Sequence, residues 1–192
     1  MNEGGWHFQK DSEVFRAMRR VATRLETLEI PYCVVGGMAM FEHGFRRFTE
    51  DVDLLVTREN LQQIHERLDG LGYLPPFTGS KQLRDTESGV RIEFLVTGEY
   101  PGDGKPKPVV FPDPVDSFIE LNGVRVLKLP LLIDLKLASG MTNSGRYKDL
   151  GDVQELIQSL NLTRDYAEQL NPFVQAKYVE LWDGVEQGKR EP

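Results

Sequence analysis

The sequence predicts an α+β protein: a mixed β-sheet flanked by helices, followed by a mainly helical C-terminal third. Three observations predict this class. Apolar residues recur at helical spacing in two early segments, short apolar or alternating segments have strand-like lengths, and helical patterns prevail after residue 130. We therefore expect one domain over residues 1–192, with a sheet-containing core at about 11–129 and a helical layer at about 130–188.

The first half alternates between helices and strands. Apolar residues three or four positions apart, with charges between them, indicate the helices, and short apolar runs indicate the strands. Gly36-Gly37 follows the first strand, and Gly72 lies near the end of the last helix. In chain order the patterns predict a helix at 11–29, a strand at 32–35, a short helix at 38–43, a strand at 50–56 and a helix at 58–71.

The second half begins with a third strand and then becomes helical. Glu93 lies in a segment of strict alternation, on the face opposite Ile92 and Phe94. The Asn122-Gly123 pair indicates a hairpin turn, and Pro130 suits the first turn of a helix. In order we expect a strand at 90–96, a surface loop at 98–108, the hairpin, and helices at about 130–141, 146–159, 163–170 and 172–186.

Composition excludes some classes of protein. Apolar residues make up 40% of the chain, enough for a packed core, and the net charge of −7 argues against a basic coat for duplex DNA. The one cysteine, Cys33, lies in an apolar run and is expected to be buried, so a disulfide scaffold within one chain is excluded. No apolar stretch reaches the length of a membrane span, and we expect a cytoplasmic protein with no membrane partner.

Two carboxylates are the first candidate for chemistry. Asp51 and Asp53 lie two positions apart on the predicted strand at 50–56, so both face the same side of the sheet. Neighbouring carboxylates repel each other, and a divalent cation relieves that repulsion. Oxygen ligands without histidine or cysteine suit Mg²⁺ or Mn²⁺. The pair alone fits equally well a strand end whose aspartates are solvated or paired with Arg46 and Arg47.

The glycine pair is the second candidate feature. Gly36-Gly37 stands between a strand and a short helix, where glycine lets the backbone approach a phosphate closely. A tight turn alone would also explain two glycines. The combination of this turn with the following Asp51-x-Asp53 strand favours a phosphate and metal site. Other catalytic patterns are missing from the sequence: it has no Gly-x-x-x-x-Gly-Lys loop, no zinc spacing of histidines and no Gly-x-Ser-x-Gly elbow.

At these residues the sequence resembles a known family. Gly36-Gly37, thirteen further residues and then Asp51-Val52-Asp53 resemble the signature of the nucleotidyltransferase (polymerase-β-like) superfamily. Arg47 and Thr49 extend the likeness to a bacterial branch that includes AbiE-type abortive-infection toxins. The resemblance is clear over residues 30–56. It implies a nucleotidyltransferase-like fold in which Gly36, Gly37, Arg47 and Thr49 help to bind a nucleoside triphosphate.

The resemblance also implies roles for later residues. The family uses a third carboxylate from a neighbouring strand, and Glu93 is the candidate beside Asp51 and Asp53 for catalysis and metal binding. A glutamate merely exposed and paired with Arg91 or Lys81 is the alternative.

Two later segments resemble those that face the nucleotide in this branch. They would place Lys136, Lys148 and Asp149 at the triphosphate or acceptor. Lys136 stands in an otherwise apolar helical run, where a charged side chain favours a role at the site over a surface ion pair. For Lys148 and Asp152, a surface ion pair at i,i+4 spacing explains the pattern equally well.

The implied activity is transfer of a nucleoside monophosphate from a nucleoside triphosphate to a hydroxyl, with Mg²⁺ or Mn²⁺ as cofactor. RNA, protein and small molecules are all open as acceptors. Because Gly37 replaces the serine of many active members, a nucleotide-binding module without turnover is the alternative. The resemblance also raises a toxin restrained by an antitoxin partner.

Overall fold

The computed structural model describes residues 12–45 and 48–189, which form a mixed β-sheet with helices against it. The predicted α+β class is confirmed. The helices are α1 Glu13–Thr27, α2 Gly36–Glu42, α3 Arg58–Leu68, α4 Leu129–Thr142, α5 Tyr147–Ser159 and α6 Pro172–Gly188, with 3₁₀ helices at Ser144–Arg146 and Arg164–Gln169. The strands are β1 Cys33–Val35, β2 Asp51–Val56, β3 Tyr73–Leu74, β4 Gln82–Asp85, β5 Arg91–Val96, β6 Phe118–Leu121 and β7 Val124–Leu127.

The centre of the sheet is the strand that carries the aspartates. The strand order is β3-β4-β5-β2-β1-β7-β6. Strand β2 pairs antiparallel with β1 and parallel with β5, so the glycine turn and the third-carboxylate strand flank it on either side. Alternation places Val52, Leu54, Ile92 and Phe94 in the core, and Cys33 is buried as predicted. The opposite face of β2 and β5 is therefore available for a site.

Helix α1 begins where the sequence offers a capping residue. The Ser12 Oγ accepts a hydrogen bond of 3.2 Å from the Phe15 N–H, which satisfies one of the free donors of the first turn. Its apolar stripe, which includes Met18, Val21 and Leu25, is buried against the sheet. The helix contacts strand β2, and it therefore supports the strand on which the candidate site is built.

Two strands of the sheet were missed by the sequence analysis. Strands β3 and β4 lie at one edge and read Tyr-Leu and Gln-Leu-Arg-Asp, which are too short and too polar to show an apolar alternation. The inward position at the end of β4 is a charged residue, Asp85. Its carboxylate is buried but accepts hydrogen bonds from Arg20 and Ser88. A hydrogen-bonded aspartate therefore occupies an inward position that is usually apolar, and the alternation that indicates a strand does not appear in the sequence.

The predicted hairpin is confirmed. Strands β6 and β7 pair antiparallel, with Leu121 opposite Val124. Both intervening residues have positive φ, 49° at Asn122 and 75° at Gly123, the conformation that a two-residue turn requires. This hairpin forms the second edge of the sheet and leads directly into helix α4.

The C-terminal third is helical, as predicted, with one correction. The segment expected as a helix at 163–170 is a 3₁₀ helix, Arg164–Gln169, with tighter turns. Helices α4 and α5 pack closely at Gly140, which has no side chain. A Cβ at this position would lie 2.6 Å from the Leu150 side chain, so any other residue there would require rearrangement. Within the described ranges, no helix is both long and apolar enough to cross a bilayer.

A buried carboxylate in α4 leads to a stability prediction. The Asp134 side chain accepts a hydrogen bond of 2.9 Å from the Asn171 N–H at the start of α6, and burial raises its pKa to about 6. Asparagine keeps the acceptor without the charge. We expect Asp134→Asn to raise the free energy of unfolding by about 1–3 kcal/mol at neutral pH, measured by urea denaturation.

The pH dependence of that gain tests its cause. The pKa of the Asp134 carboxyl is higher in the folded than in the unfolded chain, so its ionisation opposes folding. The contribution of Asp134 to the free energy of unfolding of the wild type is therefore lost as the pH rises from about 4 through about 6. The advantage of Asp134→Asn should grow over that interval and then level off. A gain that is independent of pH would contradict this explanation.

Candidate active site

An open cavity of about 230 Å³ lies between the polar face of β2 and β5 and the helices α4 and α5. All the residues that the sequence analysis assigned to a site line this cavity, except Arg47, which lies outside the described residues. The assigned residues that line it are Gly36, Gly37, Thr49, Asp51, Asp53, Glu93, Lys136, Lys148 and Asp149. Residues from five helices and strands that are far apart in sequence (α2, β2, β5, α4 and α5), together with Thr49 just before β2, therefore meet at one place.

Asp53 and Glu93 are neighbours on adjacent parallel strands. The register pairs Asp53 with Glu93, and the period of the strands turns both side chains to the cavity. Among the described residues, neither carboxylate accepts a side-chain hydrogen bond or forms an ion pair. Burial, and then repulsion by Glu93, raises the pKa of Asp53 to about 6, although the charge of Lys136 opposes the shift. Two poorly compensated carboxylates side by side favour binding of a cation.

The first glycine of the pair is required by Asp53. A Cβ on Gly36 would lie 1.9 Å from the Asp53 Oδ2, and Gly36 has a φ of +62° that side chains disfavour. The turn between β1 and α2 therefore holds bare backbone directly against this carboxylate. Any phosphate bound near Asp53 would meet the same backbone.

The second glycine is matched to Thr49. A Cβ on Gly37 would lie 2.9 Å from both the Cβ and the Oγ1 of Thr49, and the Thr49 hydroxyl donates a hydrogen bond of 3.2 Å to the Asp51 carbonyl oxygen. A serine at position 37 would have to displace this threonine. The space that a side chain at position 37 would need is thus filled by the Thr49 side chain.

Asp51 is bound by an arginine that the sequence analysis did not pair with it. The Arg91 Nε donates to Asp51 Oδ1 at 3.1 Å, and its Nη2 donates to Oδ2, so the contact is bidentate. The register places Arg91 directly beside Asp51 on β5. Of the alternatives raised from sequence, Lys81 pairs with Glu99 rather than Glu93, and Arg46 and Arg47 lie outside the described residues.

The three acidic residues do not form a ready ligand set. Within residues 12–45 and 48–189, no three acidic, histidine or cysteine side chains are close enough together to hold a metal ion. The sequence analysis expected Asp51, Asp53 and Glu93 to gather as ligands. They do line one cavity, but the Asp51 carboxylate is engaged by Arg91.

Lys136 is buried between two carboxylates. Its Nζ donates to Asp152 Oδ2 at 2.6 Å and to Asp149 Oδ1 at 3.3 Å, which ties α4 to α5. The Asp149 Oδ2 also accepts hydrogen bonds from Ser139 Oγ at 2.7 Å and Arg146 Nε at 3.1 Å. Burial alone would raise the pKa of Asp149, but these cations and the hydroxyl lower it below its usual value. The ammonium predicted to hold phosphate is therefore already occupied.

Lys148 differs from Lys136 in this respect. It is exposed at the rim of the cavity and forms no ion pair with any residue the structure describes. Asp152, the i,i+4 residue that would have made Lys148 part of a surface salt bridge, binds the buried Lys136. Lys148 is therefore available for an anion in the cavity.

The sequence analysis predicted a surface loop at 98–108 but did not predict that this loop closes one side of the site. Gly102 has a φ of +78°, and a Cβ there would lie 2.3 Å from Thr142 Oγ1 and 2.9 Å from the Ser139 carbonyl oxygen. The Asn143 Nδ2 donates to the Gly102 carbonyl at 3.1 Å. The loop at 98–108 was recognised as glycine- and proline-rich, but its packing against α4 depends on contacts some forty residues away in sequence.

Comparison with known proteins identifies the fold. No family model and no curated protein matches the sequence. Among solved structures, an antigenic nucleotidyltransferase-like protein from Paracoccidioides brasiliensis is 16% identical, with a TM-score of 0.53 and 92% of both chains covered. A candidate nucleotidyltransferase from H. pylori is 17% identical, with a TM-score of 0.51, covering 94% of this chain and 99% of its own.

A third similar structure is ANT(2")-Ia in complex with adenylyl-2"-tobramycin. It is 12% identical, with a TM-score of 0.55, and the match covers 85% of this chain and 95% of that one. Identities this low establish the architecture, while the alignment of nearly whole chains shows that the likeness is not limited to the sheet. The fold that the glycine turn and the Asp-x-Asp strand implied is therefore confirmed: this chain has the nucleotidyltransferase fold.

Proposed function

We propose that this chain is a metal-dependent nucleotidyltransferase that transfers a nucleoside monophosphate from a nucleoside triphosphate to a hydroxyl acceptor. The observation that supports it best is the pairing of Asp53 with Glu93 on adjacent strands, against the bare backbone of Gly36. This group lies in a cavity that also contains Lys148 and Arg146. Acidic ligands beside basic side chains suit a phosphate ester bound together with a divalent cation.

The residues fit Mg²⁺ or Mn²⁺ by their donor atoms. Asp53 is poorly compensated in its buried position, and the high pKa of its carboxyl reflects the cost of holding its charge there without a cation. Asp53 and Glu93 would hold the ion, and Asp51 would join them if Arg91 released it. A cation bound there supplies charge neutralisation at the phosphates and activation of the acceptor hydroxyl.

The other residues would orient the substrate. The backbone at Gly36 and Gly37 leaves room for phosphate oxygens beside Asp53, and Lys148 offers its free ammonium to the same charge. In the reaction, the acceptor oxygen forms a bond to the α-phosphorus, and the bond from that phosphorus to pyrophosphate breaks. The acceptor hydroxyl gives its proton to water in the open cavity, and the pyrophosphate leaves with the electron pair of the broken P–O bond. Lys136 would act through Asp149 by holding α5, and hence Lys148, in place.

The test is transfer of label from a nucleoside triphosphate. Purified protein, Mg²⁺ and each α-labelled triphosphate are incubated with a total-cell extract, which is then separated into RNA, protein and small-molecule fractions. We expect one fraction to be labelled, with pyrophosphate released and with no transfer when EDTA is present. Nucleotide binding without pyrophosphate release would instead support the module without turnover. Labelling that persists in EDTA would contradict the metal requirement.

The resemblance to AbiE-type toxins adds a narrower hypothesis, that an antitoxin partner restrains this activity in the cell. Arrest of growth on expression of the chain alone, relieved by a protein encoded beside it, would support this hypothesis. Normal growth with fully active protein would contradict it.

A further inference from the structure

We propose that Arg91 is a positioning residue that occupies Asp51 until a divalent cation displaces it, so that the third metal ligand is exposed only by exchange. This inference rests on the proposed function, because it concerns the same metal site. The sequence signature gives Arg91 no role. The structure places its guanidinium on the carboxylate that the signature reserves for metal.

The geometry makes the pair specific. Arg91 and Asp51 are direct partners in the register of β5 and β2, so the guanidinium reaches both carboxylate oxygens without crossing the cavity. A bidentate contact uses the same two oxygens that a metal ion would use. While it persists, Asp51 cannot complete a ligand set with Asp53 and Glu93, which agrees with the lack of such a set among the described residues.

The exposure of the pair makes it reversible. The side chains of Arg91 and Asp51 are 43% and 31% exposed, and ion pairs of this kind are weak because water competes for both partners. By contrast, Lys136 and its two carboxylates are each at most 10% exposed and would be costly to separate. A divalent cation can therefore compete for Asp51 but has no comparable access to Asp149 or Asp152.

Arg91 has a place to move to. It lines the candidate-site cavity and also a second, more open depression, formed with Glu50, Arg84 and Ser88. Among the described residues, Asp51 is the only side chain that Arg91 hydrogen-bonds. A released guanidinium would therefore break no other side-chain hydrogen bond and would lie against this depression.

Binding of Mn²⁺ to the full chain, followed by electron paramagnetic resonance, tests the exchange without using activity. We expect Arg91→Met to bind Mn²⁺ about fivefold more tightly than wild type, because the cation no longer competes with the guanidinium. Arg146→Met is the matched control: this arginine also lines the cavity but contacts Asp149 rather than Asp51. In an Asp51→Asn background, Arg91→Met should have no effect.

Equal gains in the Arg91→Met and Arg146→Met variants would overturn the exchange, because they would reflect only the loss of a positive charge.

A second readout is the rate at which phenylglyoxal modifies Arg91 in the wild type, followed by peptide mass spectrometry. Mn²⁺ should accelerate this modification, and an unchanged rate would also overturn the exchange. If neither wild type nor Arg91→Met binds Mn²⁺, the proposed metal site itself fails. If the wild type binds Mn²⁺ and transfers label while Arg91→Met binds no more tightly, only the exchange fails.

Discussion

Replacement of Asp53 by asparagine is expected to reduce nucleotidyl transfer by about a thousandfold or more while leaving the protein folded. Asp53 is the carboxylate that touches Gly36 and pairs with Glu93, so its charge is central to any cation bound in the cavity. Asparagine preserves its shape and removes that charge. Because burial penalises the carboxylate, the melting temperature of the variant should be equal to or above that of the wild type.

The matched control for Asp53→Asn is Glu50→Gln. Glu50 directly precedes β2 and is exposed, but it lines the neighbouring depression rather than the candidate-site cavity. This control should keep transfer within about twofold of wild type, since screened surface charges have small effects at a distance. Label transfer and thermal unfolding are measured on the same preparations. An Asp53→Asn protein with wild-type transfer would defeat the proposed site.

Lys136→Met is expected to have the second large effect, on stability. The ammonium of Lys136 is shared by the buried carboxylates of Asp149 and Asp152, and its removal takes a positive charge out of the interface of α4 and α5. Breaking a buried pair in this way typically costs about 3–5 kcal/mol, more than the gain from a better-packed methionine. Urea denaturation measures the loss, and we expect transfer to fall in parallel because α5 carries Lys148.

Lys148→Met separates this effect from the loss of a cavity lysine. Lys148 is exposed and pairs with no described residue, so its removal should change the free energy of unfolding by less than about 0.5 kcal/mol. If it holds phosphate, the Michaelis constant for the triphosphate should rise. Equal destabilisation by Lys136→Met and Lys148→Met would show that the buried network does not contribute as the structure implies.

The two lysines illustrate how far sequence reasoning reached in the site. Both were predicted to lie at the nucleotide, and both line the cavity. Their surroundings differ, because the interface between α4 and α5 buries Lys136 among carboxylates and leaves Lys148 exposed. The spacing of charges along a helix predicts partners within one helix, such as Lys148 with Asp152. Asp152 instead binds Lys136, which lies on another helix sixteen residues earlier.

The sequence by itself determined the fold class, most element positions, the shared face of Asp51 and Asp53 on one strand, and the position of Glu93 opposite Ile92 and Phe94 on another, because the periods of strands and helices are local properties of the backbone. Only the tertiary structure decided the edge strands, the packing of the loop at Gly102 and the choice of ionic partners. Arg91 reaches Asp51 because β5 lies beside β2, and that adjacency of strands forty residues apart is set by packing of the whole sheet.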